Sequence, residues 1–169
     1  MSNLDKIRLE ILETKEKRWL KQKEIVSKSN KNLISFKFNI PSWPKKSPII
    51  ELAFKRSQSD FYLFLDKKRI GYNIVESTIT ILGPESFILS SLEAQELKNL
   101  AIDFEETHHV GRLLDLDVIK VNGNAIERKT KRQCYLCDEI AITCMRNLTH
   151  SPEELRKYFD NKIREYLKS

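Results

Sequence analysis

The chain has 169 residues, with 30 Lys and Arg against 24 Asp and Glu, a formal net charge of +6. Apolar residues make up 40% and charged residues 32%, which excludes a disordered chain and supplies enough apolar side chains for one folded core. No apolar run is long enough to span a membrane and Met1 to Glu10 lacks a signal-peptide core, so the expectation is a single domain over 1–169 in the cytoplasm.

Asn3 to about Lys28 is expected as one long helix, with Leu4, Ile7, Ile11, Leu12, Leu20 and Ile25 near helical spacing. Its Lys15, Lys17, Arg18, Lys21 and Lys23 side reads as a solvated face, with a polyanion-binding surface as the alternative. Leu33 to Ile40 is the first strand. It ends at Pro41-Ser42-Trp43-Pro44-Lys45-Lys46-Ser47-Pro48, because the prolines cannot continue a central strand. Ser47 suits an N-cap and Pro48 the first turn of a helix to about Lys68. Two lysines and a serine ahead of a helix start can meet a phosphate; the plainer reading is a proline-rich connector.

Gly71 is expected to end that helix. Tyr72 to Leu82 reads as a strand, Gly83-Pro84 as a turn, and Ser86 to Leu89 as a short strand. Ser91 is expected to cap a helix from Leu92 to about Glu106. His108 and His109 then lead into a strand from Gly111 to Ile119. Asn122-Gly123 is a hairpin signal, so Ala125 to Glu127 is expected to pair back antiparallel. Arg128 to Arg132 reads as a solvated basic turn. A helix is expected from about Cys134 to Met145. Ser151-Pro152-Glu153-Glu154 opens a final amphipathic helix. The class is α+β, a small mixed or antiparallel sheet with packed helices.

The break in this pattern is Leu114-Asp115-Leu116-Asp117-Val118. On a strand, positions i and i+2 share a face. The aliphatics go to one side, and both aspartates go to the other. Two adjacent carboxylates repel, and burying them unpaired is expensive. A cation between them removes the difficulty, and Mg²⁺ suits a site that also takes phosphates. The plainer reading is the solvated face of an edge strand. Glu105 and Glu106 are candidates for a third carboxylate, although solvation is the simpler expectation. Cys134-x-x-Cys137, Cys144 and His150 invite a zinc reading. The expected helix through Cys137 and Cys144 does not obviously wrap one ion, and buried thiols on an apolar face are the commoner outcome. Two other functions fit the composition. One is a nucleic-acid-binding module using the basic N-terminal helix; the other is a small zinc-stabilised interaction domain.

Taken together, His108-x-x-Gly111-Arg112-Leu113-x-Asp115-Leu116-Asp117-Val118, Arg132-x-Cys134-Tyr135-Leu136-Cys137, Cys144-x-Arg146 and His150 resemble the citrate lyase holo-acyl-carrier-protein synthase family. These are the apo-citrate lyase phosphoribosyl-dephospho-CoA transferases. Asn39, Pro41, Lys45 and Ser47 look like the family's Asn-x-Pro-Gly-x-x-Lys-x-Ser loop. The resemblance implies transfer of 2′-(5″-phosphoribosyl)-3′-dephospho-CoA from its triphosphoribosyl donor to a serine of the citrate lyase acyl-carrier (gamma) subunit. Diphosphate leaves. It implies a nucleotidyltransferase-like site with Asp115 and Asp117 holding Mg²⁺. Arg112, Lys45, Arg132 and Arg146, with Ser47 in the loop, are then candidates for the donor's phosphates, and His108 for a base or orienter. Neither membrane nor nucleic acid is expected as a partner. Two positions depart from the pattern. Ser42 stands where the family loop usually has glycine, and His109 where the family often has proline.

Overall fold

A computed structural model describes residues 2–169. Among them are five α-helices and one four-stranded sheet, in the order α1 (Asn3–Ser29), β1 (Asn32–Phe38), α2 (Pro48–Lys67), β2 (Asn73–Thr80), β3 (Gly83–Ser90), α3 (Ala94–Thr107), β4 (Leu114–Ile119), α4 (Ala141–Arg146) and α5 (Pro152–Lys168). The sheet runs β2-β3-β1-β4 and every pairing is antiparallel. The expected α+β class holds, with the sheet antiparallel rather than mixed.

Period-two alternation divides the sheet into two unlike faces. On one face Ile34, Phe36 and Phe38 of β1, Ile88 of β3, and Leu114, Leu116 and Val118 of β4 are buried. They pack with Phe54 and Phe61 of α2, Leu97 and Phe104 of α3, and Phe159 and Ile163 of α5. Each of these side chains contributes about 1.5–3 kcal/mol through burial. On the other face Leu33, Phe87, Leu89 and Ile119 meet only Ile25 and Val26, near the C-terminal end of α1. The remaining positions of that face are polar. By register they are Glu85, Lys37 and Asp115 in one row and Ser35 and Asp117 in the next.

Several boundaries differ from the sequence expectation. The apolar stripe of α1 is not used along its length: Leu4, Leu12 and Leu20 are exposed, and the buried residues are Gln22, Ile25 and Val26. The left-handed residue after α2 is Arg69 (φ 58°), not Gly71. Gly83-Pro84 begins β3; the turn is Ile81-Leu82, with Thr80 opposite Gly83. Pro84 is tolerated there because β1 pairs with β3 only as far as Glu85, so no ladder bond is lost on that side. The carboxylate of Glu93, not Ser91, caps α3 by accepting the N–H groups of Gln95 and Glu96. Residues 111–113 form a 3₁₀ turn. Ala125 makes a single bridge to Ile119 instead of a strand. The helix expected from Cys134 is confined to α4, because Gln133 bridges Ile140 and Cys134 donates its N–H to Glu139 O. That closes residues 134–139 into a loop.

Candidate active site

β4 is an edge strand, and its outer edge is sealed by side chains rather than by another strand. Leu114 O accepts from Arg132 at 3.0 Å. Leu116 N–H donates to Glu105 Oε1 at 2.7 Å, and Leu116 O accepts from Lys98 Nζ at 2.9 Å. Val118 O accepts from Ile126 N–H at 2.9 Å. Buried backbone groups must find partners, and here α3 supplies both of Leu116's through two buried charged residues, Lys98 and Glu105. The Glu105 carboxyl was expected in solvent; it is 5% exposed. The chain reaches this edge through Gly111, whose hypothetical Cβ would stand 2.1 Å from Glu105 O, so only glycine passes there.

On the open face the two aspartates converge. Lys37 Nζ lies 3.0 Å from Asp115 Oδ2 and 2.6 Å from Asp117 Oδ2. Arg132 reaches Asp115 Oδ1 at 3.1 Å while also bonding Glu105 Oε1 at 2.6 Å. Thus one arginine ties the edge seal to the aspartate pair. Lys37 sits directly across from Asp115 in the β1–β4 register, and Glu85 sits across from Lys37 on β3. Arg18 of α1 pairs with Glu85. Burial alone would raise the Asp115 pKa, but Lys37 and Arg132 outweigh it and hold the carboxyl below its usual range. Burial likewise opposes the charge on Lys37, and the two aspartates more than restore it, so its pKa is raised. Glu105 goes the other way: burial pushes its pKa up despite Arg132.

The loop between β1 and α2 adds a basic neighbourhood. Lys45 Nζ donates to Ile40 O at 2.8 Å. Burial lowers its pKa, and Lys15, Arg156 and Arg18 lower it further. Arg156 of α5 donates to Pro44 O at 2.6 Å. Ser47 is the N-cap of α2 and accepts the N–H of Ile50 at 3.4 Å. Ser42 has φ 53°, a left-handed conformation that glycine adopts without strain.

The chain matches the model of the apo-citrate lyase phosphoribosyl-dephospho-CoA transferase family over residues 7–166. It belongs to that family. Among similar proteins are the probable apo-citrate lyase phosphoribosyl-dephospho-CoA transferase of Vibrio cholerae serotype O1 (strain M66-2), 28% identical over 93% of this chain and 91% of the relative. The apo-citrate lyase phosphoribosyl-dephospho-CoA transferases of Citrobacter koseri and Escherichia coli O1:K1 / APEC are each 28% identical over 86% of this chain and 82% of the relative.

Within this transferase, the residues singled out from sequence fall into five places. Asp115, Asp117 and Arg132 come together on the open face, and Lys45 and Ser47 lie in the basic loop. His108 stands in the helix layer: its Nε2 is 3.0 Å from Asp60 Oδ2, its ring stacks on Phe104 at 4.5 Å, and Tyr166 packs against it. Burial lowers its pKa although Asp60 opposes this. Its neighbours belong to α2, α3 and α5, and none is an aspartate of the pair. Arg112 donates to the carbonyls of Gln133 and Cys134, holding the cysteine loop. Arg146 is exposed in the last turn of α4. No site residue other than Arg132 comes from the basic run, but Arg128 of that run also turns inward, 3.1 Å from Glu106 and 3.7 Å from Glu105. Sequence reasoning missed Lys37 and Lys98. The signal for Lys37 was present: a lysine between two phenylalanines on a strand, facing the same side as Ser35.

Asp115 and Asp117 are the residues that could hold a divalent ion here, in the place the Lys37 ammonium takes. Two carboxylates on one strand face already point at a single cationic atom, Lys37 Nζ, so a cation between them is satisfied from both sides. The pair sits on an open sheet face; the surface hollows of about 450 Å³ and about 420 Å³ lie elsewhere, one along α5 by Ser42 and Trp43, the other by Gly71 and Ser91. Among the described residues no helix is long and apolar enough to cross a membrane.

Proposed function

We propose that the open face of β4 and β1 is where this transferase carries out its reaction. As a member of its family the chain installs the prosthetic group on the citrate lyase acyl-carrier subunit. The donor is the triphosphoribosyl form of dephospho-CoA. The acceptor serine hydroxyl gives up its proton to solvent as its oxygen forms a bond to the phosphorus attached to the ribose, the bond from that phosphorus to the next phosphate breaks, and diphosphate leaves.

Asp115 and Asp117 would hold Mg²⁺, which would supply neutralising charge to the donor's phosphates. The chain's own residues do the rest. Arg132, within reach of Asp115, stabilises the charge that builds on the departing diphosphate, and Lys37 holds the two aspartates together when no ion is bound. Lys45, Arg156, Lys15 and Arg18 form the basic rim that draws in a polyanionic donor. Glu105 and Lys98 fix β4 and Arg132 in place without touching substrate. The observation that carries this reading is the convergence of both aspartates on one cation. Mn²⁺ titration followed by electron paramagnetic resonance tests it, with donor present. The wild type is expected to bind the ion, and Asp115→Asn and Asp117→Asn to bind it at least about 10-fold more weakly. Equal affinity in all three proteins would reject the metal assignment. Membership of a transferase family displaces the nucleic-acid module and the zinc domain as the chain's principal function.

A further inference from the structure

Cys134, Cys137, Cys144 and His150 take no part in the site above, yet the fold gathers them. Their ligand atoms all lie within 4.8 Å of one another. Cys137 Sγ is 4.0 Å from Cys144 Sγ and 3.3 Å from His150 Nε2. Around a tetrahedral zinc, with bonds of about 2.3 Å to sulfur and about 2.0–2.1 Å to nitrogen, the donor atoms stand roughly 3.5–3.8 Å apart. The observed cluster needs only a small contraction to reach that shape.

The backbone is built for this convergence. The closed loop 134–139 turns both cysteines of the Cys-x-x-Cys toward one side, and Leu136 N–H points at Cys134 Sγ at 3.5 Å. α4 carries Cys144. The chain then doubles back: Leu148 is left-handed (φ 50°) and Thr149 N–H returns to Cys144 O. That reversal sets His150 beside Cys137. A second observation comes from the segment as a whole. Residues 120–150 contain only the short α4 and isolated bridges, yet Cys134 and Cys144 are buried. A long stretch with so little regular structure is one that a cross-link would hold in a single shape. All three thiols are free.

We propose that these four side chains bind one structural Zn²⁺ as a Cys₃His site. Three thiols lose their protons on binding and the imidazole stays neutral, leaving a net charge of −1 at the site. Four protein ligands leave no open position, so this ion does no chemistry on substrate. It ties the start of α5 to the loop that follows Arg132. Arg132 is thereby kept on Glu105 and Asp115. The proposal does not rest on the assignment of Mg²⁺ to the aspartates.

The test is metal analysis of the full chain, purified reduced after growth with zinc, by inductively coupled plasma mass spectrometry. One zinc per chain is expected in the wild type and in Asp115→Asn, and its loss in Cys137→Ser. Exchange with Co²⁺ is expected to give thiolate charge-transfer bands and the intense visible absorption of a tetrahedral site. Should Cys137→Ser fail to fold, chelation of the wild type serves instead: it is expected to lower the Tm and expose three thiols to Ellman's reagent, and added zinc to reverse both. A wild-type protein that takes up neither zinc nor cobalt, or that is isolated with a Cys134–Cys137 disulfide, would overturn the proposal.

Discussion

Asp115 shows how one side chain is governed by its neighbours. Burial opposes its charge, and Lys37 with Arg132 overrules burial, so its folded pKa lies below the usual value. A depressed carboxyl contributes stability in full above its unfolded pKa, and that contribution is lost as pH falls through the folded value. Asp115→Asn is therefore expected to be about 2 kcal/mol less stable than the wild type at neutral pH. The gap should close on acidification below the ordinary carboxylate range, as read by urea unfolding. A gap that does not change with pH would mean the charge of Asp115 is not what the pair contributes. Lys37→Met leaves two facing carboxylates without their shared ammonium. It is expected to cost about 2–3 kcal/mol, with added Mg²⁺ restoring part of the loss by occupying the same position. No restoration by Mg²⁺ would argue that the pair accepts only the ammonium. His108 belongs to a different account. Its partners are Asp60, Phe104 and Tyr166, so His108→Asn is expected to lower the Tm while leaving kcat within about 3-fold. A large fall in kcat at unchanged stability would return it to the chemistry.

At the scale of elements, the aspartates were legible because a strand has a strict period of two, and Leu114, Leu116 and Val118 left no doubt about which side was apolar. What surrounds them was not legible. Glu105 read as solvated, since a charged residue at a helix end normally is, and Arg132 as a phosphate ligand rather than a partner of Glu105 and Asp115. Their placement, Glu105 buried and Arg132 half-buried, depends on β4 being an edge strand, which only the sheet order reveals. The Cys134–Met145 region was misread for a related reason: helical composition yielded to the bridge between Gln133 and Ile140. Gly83-Pro84 read as a turn on dipeptide chemistry, whereas the shortened β1 pairing made room for it inside β3. The edge seal makes its own prediction. Gly111→Ala would drive a methyl into the carbonyl of Glu105, and overpacking of this kind costs about 1–3 kcal/mol or more. Because Glu105 holds both Leu116 and Arg132, the variant should lose transfer activity along with Tm. A variant as stable and active as the wild type would show that the close approach is easily relieved.

Across the whole molecule, the sheet separates two tasks. One face carries the large aromatic and aliphatic core under α2, α3 and α5, which keeps β1 and β4 rigid. The other carries charge on that rigid support, partly roofed by α1, with the carboxylates of Asp115 and Asp117 partly exposed. The net charge of +6 and the basic rim suit a polyanionic donor, so donor binding is expected to weaken as salt rises. The most direct measurement is the intact mass of apo acyl-carrier subunit after incubation with enzyme, triphosphoribosyl-dephospho-CoA and Mg²⁺. The wild type should add the mass of one phosphoribosyl-dephospho-CoA group to the carrier. Asp115→Asn and Asp117→Asn, still folded by circular dichroism, should add it at least about 100-fold more slowly. Modification at the wild-type rate by both variants would contradict the assignment of this face as the site of transfer.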